Sequence, residues 1–169
     1  EPANWDPRAV NVEGRYNTRE EWRDAAGRPL HPHTNYNVGG NTKFYGAALF
    51  RLREQDFGEL RHWGGTSPAW PISYADLEPY YDRAERLYQV HGETGVDPTE
   101  PWRSAPYAHA AVRHEPRIQA LAEDFAAQGL RPFHVPLGVQ LDERQAQQSA
   151  CIRCGTCDGF PCLVRGKSD

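Results

Sequence analysis

The chain has no methionine. A stretch of 169 residues without even an initiator is expected to be a fragment, or a processed subunit, of a longer polypeptide. Strong charge is lacking as well. The formal net charge is -4, which offers no electrostatic case for nucleic acid or an anionic membrane surface. Nor does any apolar run reach the roughly 18 residues that a membrane-spanning helix needs. The opening "EPANWDPRAV" has neither the basic nor the apolar region of a signal peptide. Internal repeats, low-complexity tracts and a convincing domain boundary are missing too.

What is present is unusual in balance. Glycine and proline number 15 and 14, above their average joint share of about 12%. Mean hydropathy is -0.79. Yet five tryptophans and eight tyrosines supply area to bury. The composition describes an ordered, loop-rich α+β chain rather than a disordered one.

Two helices are legible. In "SYADLEPYYDRAERLYQVHG", Ser73 is an N-cap and Asp76 follows three residues later, close to a capping box. Leu77, Tyr81, Ala84 and Leu87 or Tyr88 would share its apolar face. Pro79 is expected to split off the first turn, and Gly92 to end the helix. "EPRIQALAEDFAAQG" is the second, with Pro116 near its first position, Ile118, Leu121 and Phe125 on one face, and Gly129 as its stop. "TREEW" would open a short helix capped by Thr18. The 47–52 run fits a helix or a buried strand. "RHWGGTSPAWPIS" and "ETGVDPTEPWRSAPYAHA" read as loops. "LRPFHVPLGVQL" reads as an edge strand, because Pro132 and Pro136 exclude a central one.

The cysteines are the most concentrated chemical signal. Cys151, Cys154, Cys157 and Cys162 fall within twelve residues, spaced C-x2-C-x2-C-x4-C. Such spacing can converge four thiolates on one metal or iron–sulfur cluster, with Gly155 and Gly159 permitting the turns. It also allows two local disulfides closing small loops, or reduced thiols packed as small hydrophobes. A non-enzymatic metal module built around Cys151–Cys162 and a secreted, disulfide-stapled binding domain are therefore both open readings.

Other motifs fail or are weak. "RGKS" is no P-loop, because the position that needs the first glycine is Pro161. His31 and His33 could hold a metal, although "HPH" more often lies in a solvated loop. The remaining histidines form no H-x-x-x-H, and G-x-S-x-G is absent. In "NVGGNTKFYG", Gly39 and Gly40 would let backbone approach a ligand, with Asn41 and Thr42 adding polar groups.

Three stretches together resemble the glucose–methanol–choline (GMC) flavin oxidoreductases. These are "VGGNTKFYGAALFRLREQDF", "WPISYADLEPYYDRAERLYQVHG" and "CIRCGTCDGFPCLVRGKSD", in that order, and the second is the most specific. The likeness covers most of residues 33–169 and points to the bacterial branch with a cysteine-rich loop. It implies part of a Rossmann-like FAD-binding fold: flavin-lid helices and the FAD-binding region over 1–130, and the start of a substrate domain with the cysteine loop over 131–169. Gly39, Gly40, Asn41 and Thr42 would lie along the flavin. Tyr45 and Gly46 align with the family's usual Asn-Gly, Tyr45 being a departure. No histidine in this loop could tether the cofactor, so FAD would be non-covalent. An iron–sulfur cluster at the cysteines would be a second redox centre. The G-x-G-x-x-G segment and the downstream catalytic histidine are not in these 169 residues, so no catalytic residue is assigned. The resemblance implies an alcohol or sugar as substrate, and the rest of a flavoprotein chain, or a second subunit, as partner.

Overall fold

In the computed structural model, residues 8–9, 13–14, 18–30, 34–35, 38–155, 157–158, 160–162 and 164–167 are described. Its main helix, α1 (Tyr74–Leu87), starts as its sequence requires. The Asp76 amide donates to Ser73 Oγ, and the Ser73 amide donates to Asp76 Oδ2 at 2.8 Å, a reciprocal capping box. Pro79 does not split the helix. Its missing N–H removes one backbone bond, while Glu78 and Glu85, on either side of it, are both clamped to Arg51.

That clamp also adds carboxylates to the expected apolar face, on which Leu77, Tyr81 and Ala84 are partly buried. The buried residues of α1 are Tyr74, Glu78 and Glu85, at i, i+4 and i+11, whereas Leu87 is 74% exposed. The helix faces a polar core. It ends at Tyr88 with Gln89 in the left-handed region, not at Gly92. Gly92 belongs to β5 (Val90–Gly92), where a Cβ would stand 2.6 Å from the Tyr107 ring. The glycine serves close packing there rather than helix termination.

β5 is the buried centre of a three-stranded sheet. It pairs in parallel with β6 (His109–Ala110) and antiparallel with β7 (Leu137–Gly138). β7 is the sheet's edge, as the prolines require, and only two residues after Pro136 join it. Its outer side is closed by a single bridge to Ala48 and by Gly138 N–H donating to Ala47 O. The 47–52 run is thus extended backbone laid against β7. The sheet takes strands from both sides of residue 130. Ala47, Val139 and Leu141 form the hydrophobic cluster, with Tyr45, Val112, Leu137 and Cys151 packed around it.

Two segments expected to be helix or loop are hairpins. The Thr18-capped helix does not form. Thr18 Oγ1 accepts from Glu20 N–H, and β1 (Trp22–Arg23) pairs with β2 (Pro29–Leu30) around a turn organised by Asp24. Within 61–73, β3 (Leu60–His62) and β4 (Gly65–Ser67) pair around Trp63-Gly64, whose small second residue suits a two-residue turn. The 93–110 stretch is not simply surface. It carries buried Pro101 and ends in β6.

α2 (Pro116–Ala127) has Pro116 at its first turn and a left-handed Gly129 after its C-cap, both as expected. Its apolar stripe of Ile118, Leu121 and Phe125 stays largely exposed.

Candidate flavin-facing loop and its anchor

The glycine pair occupies the backbone conformation that favours glycine. Gly39 (φ 89°) and Gly40 (φ 51°) are both left-handed, and they open a 3-10 turn, Gly40–Lys43. Thr42 N–H and Thr42 Oγ1 both donate to Gly39 O, and Phe44 N–H donates to Asn41 O at 3.0 Å. Asn41 Oδ1 accepts from the backbone and side-chain N–H groups of Asn35, at 2.9 and 2.8 Å. The side chains of Asn41 and Thr42 therefore brace the turn, and main chain without Cβ atoms is what Gly39 and Gly40 present. Asn35 Oδ1 is buried beside this turn with no donor among the described residues.

The next residues are pinned. Ala47 is 1% exposed with φ 63°, a strained value for a residue with a Cβ. Lys167 holds the segment from the other side. It is only 2% exposed, and its ammonium donates to Tyr45 O at 2.6 Å, Cys157 O at 3.0 Å and Phe160 O at 3.0 Å. Three acceptors match the three donors of an ammonium. The Tyr45 ring also lies 5.0 Å from Lys167 Nζ, and Gly46 faces Asp158.

The cysteine loop is therefore an anchor for residues 45–47, and two of its thiols, Cys151 and Cys162, have partners within the fold. Cys151 packs on the Ala47–Val139–Leu141 cluster. Cys162 Sγ accepts from Gly166 N–H at 3.2 Å and Lys167 N–H at 3.3 Å. All four cysteines are free thiols, and none forms a disulfide. Burial, and then the neighbouring Cys154 and Cys151 sulfurs, push the Cys157 thiol above its ordinary range. Among the described residues no three His, Cys, Asp or Glu side chains are placed to hold a metal. The ligand set expected of Cys151, Cys154, Cys157 and Cys162 is thus not assembled. His31 and His33 lie outside the described residues, as do Ser168 and Asp169.

Gly166 has a clear purpose. A Cβ there would stand 2.5 Å from Cys151 N, so only glycine lets the two backbones meet. Gly166 O accepts from Gln140 N–H at 2.7 Å, and Gln140 O accepts from Cys151 N–H at 3.0 Å.

Motif reading missed the largest polar feature. Arg51 bonds Glu85 with two nitrogens at 2.7 and 2.8 Å, and also Tyr74 and Glu78 at 3.0 and 3.1 Å. Arg103 bonds Glu85 and Glu100 and stacks 3.8 Å over the Tyr107 ring. Ser104 N–H and Oγ donate to Glu78, and with Arg51 they hold its carboxyl below the usual range. The network fastens the 51–53 segment to α1 and the 100–107 loop. The one sequence signal was two glutamates seven apart, Glu78 and Glu85, on the face marked by Tyr74 and Tyr81.

Comparison with known proteins adds a family context. No protein-family model matches the chain. It is 35% identical over 148 residues to a 6'''-hydroxyparomomycin C oxidase of Streptomyces lividus, which covers 82% of this chain and 25% of that protein. It is 37% identical over 144 residues to a paromamine 6'-oxidase of Streptomyces fradiae, covering 82% of this chain and 24% of that protein. A gluconate 2-dehydrogenase flavoprotein of Pantoea cypripedii is 26% identical over 121 residues, 62% of this chain and 20% of that protein. The chain spans about a quarter of the length of the curated oxidases it matches.

Proposed function

Because the chain belongs to the GMC-type flavoprotein oxidoreductases, as a segment of their length, we propose that it forms one wall of the flavin site in an FAD-dependent enzyme oxidising an alcohol or sugar CH–OH group. In that reading residues 1–130 belong to the flavin-binding and lid region, and 131–169 open the substrate domain.

The observation that carries this reading is the glycine turn with its anchor. Gly39 and Gly40 carry no Cβ, and the space one would take at Gly39 is filled by the flexible Lys43 side chain, which can swing aside for a flat ring. The orphaned Asn35 Oδ1 fits an N–H or O–H donor from a bound group. Asn41 and Thr42 keep the turn in shape. Tyr45 and Gly46 follow on a segment that Lys167 and the strained Ala47 hold rigid. A wall held by side chains that do not touch the ligand is pre-organised, so little ordering is needed on binding. When bound, the flavin supplies the hydride acceptor. The names of the relatives, two oxidases and a flavoprotein dehydrogenase, support the reaction class.

The test is spectroscopic. The purified protein carrying these residues should show oxidised flavin that bleaches when an alcohol or sugar is added without oxygen. Acid precipitation should release the flavin, since the loop offers no histidine to tether it. A folded protein that never takes up FAD overturns the reading.

A further inference from the structure

The cysteine loop carries chemistry beyond its anchoring role. Cys151 rests on the hydrophobic cluster, and Cys162 Sγ is held by the amides of Gly166 and Lys167. Cys154 and Cys157 are the other two thiols. Both are partly exposed, and only Gly155 and Thr156 separate them. That is the C-x-x-C spacing in which two sulfurs can meet across one turn. The backbone suits such a turn. Arg153 has a left-handed φ of 52°, and the space that a Cβ of Gly155 would take is open, so the turn can tighten without a clash. After burial, the neighbouring Cys154 is what acts most strongly on the Cys157 thiol.

Cys157 is also tied to residues 45–47 through its own carbonyl. Cys157 O accepts from Lys167 Nζ at 3.0 Å, and the same ammonium bonds Tyr45 O at 2.6 Å. A disulfide needs its two Cβ atoms about 3.8 Å apart. Drawing Cys157 toward Cys154 turns the Cys157 peptide, and with it the carbonyl that Lys167 holds. The buried ammonium is then left with Tyr45 O and Phe160 O, one acceptor short of its three donors.

We propose that Cys154 and Cys157 are a dithiol that hydrogen peroxide closes to a disulfide, and that closure loosens residues 45–47 through Lys167. One sulfur takes an oxygen atom from the peroxide as a sulfenic acid, and water leaves. The second sulfur attacks the first, the S–S bond forms, and the oxygen departs as a second water. The two thiols give up two electrons and two protons, and the peroxide takes both. A reduced flavin releases hydrogen peroxide when dioxygen takes its electrons. Burial holds the Cys157 thiol above its ordinary range, so little thiolate forms at neutral pH and closure follows accumulated rather than trace peroxide. The inference goes beyond the flavin reading, and its test needs no bound flavin.

The full protein carrying these residues is reduced with dithiothreitol, desalted, treated with hydrogen peroxide and alkylated in denaturant. Peptide mapping should find Cys154 and Cys157 joined, the peptide lighter by two hydrogens, and Cys151 and Cys162 alkylated. Dithiothreitol should reverse the change. Hydrogen exchange over residues 45–50 should quicken about tenfold in the oxidised protein, as the loss of one bond to a charged donor implies. Neither change should occur in Cys154→Ser. If that variant fails to fold, the mapping and its reversal in the wild type decide. The proposal is overturned if all four thiols stay alkylatable, if a bound metal or irreversible oxidation blocks them instead, or if the disulfide joins another pair. Unchanged exchange over 45–50 with the Cys154–Cys157 bond formed overturns it as well.

Discussion

Replacing Lys167 with methionine tests how the cysteine loop and the glycine turn depend on each other. The substitution keeps an unbranched apolar stem and removes the ammonium. Three buried carbonyls, of Tyr45, Cys157 and Phe160, lose their donor at once. Each unpaired group costs about 1–3 kcal/mol. The total is offset by several kcal/mol, because an ammonium no longer has to be stripped of water. A net loss of about 3 kcal/mol is expected, concentrated where the loop meets residues 45–47. Denaturant unfolding of the purified holoprotein, followed by fluorescence, measures it, with Arg83→Met on the exposed side of α1 as the unaffected control. Flavin retention on gel filtration is the second readout. Affinity should fall at least tenfold, since the flavin-facing conformation becomes a minor fraction of the population. Wild-type stability together with full flavin retention in Lys167→Met would refute the anchoring argument.

Three further outcomes are expected. Arg51→Met should destabilise by about 3–5 kcal/mol in chemical denaturation, because Glu78 and part of Glu85 become uncompensated inside the core. Gly92→Ala should cost about 1–3 kcal/mol, since its methyl would overlap the Tyr107 ring, and Tyr107→Leu in the same chain should recover part of it in thermal melts. The carboxyls of Glu78 and Asp97 have folded pKa values below their unfolded ones. Their stabilisation is complete above about pH 4.5 and is lost as pH falls through the folded values. An acid-unfolding profile should therefore shift to higher pH in Ser104→Ala, which removes one hydroxyl donor to Glu78; an unchanged midpoint would show that this bond contributes nothing.

Local chemistry alone determined both main helices. Ser73 with Asp76, and Pro116 with Gly129, are signals that act within a few residues, and so they survive any tertiary context. The same holds for the left-handed Gly39–Gly40 turn. The family, too, was legible, because its phrases are linear. Tertiary structure decided the rest, through contacts between residues far apart in the chain. Glu78 and Glu85 look like solvent-facing positions until Arg51 and Arg103 arrive from elsewhere, so apolar periodicity found the inward face of α1 through Leu77, Tyr81 and Ala84 but not the carboxylates that share it. The β1–β2 and β3–β4 hairpins depended on cross-strand pairing that weak local propensities did not announce. The cysteine spacing allowed metal, disulfides or packed thiols equally well. Only the fold seats Cys151 on the core, turns Cys162 toward the amides of Gly166 and Lys167, and makes Lys167 the residue that joins the loop to Tyr45.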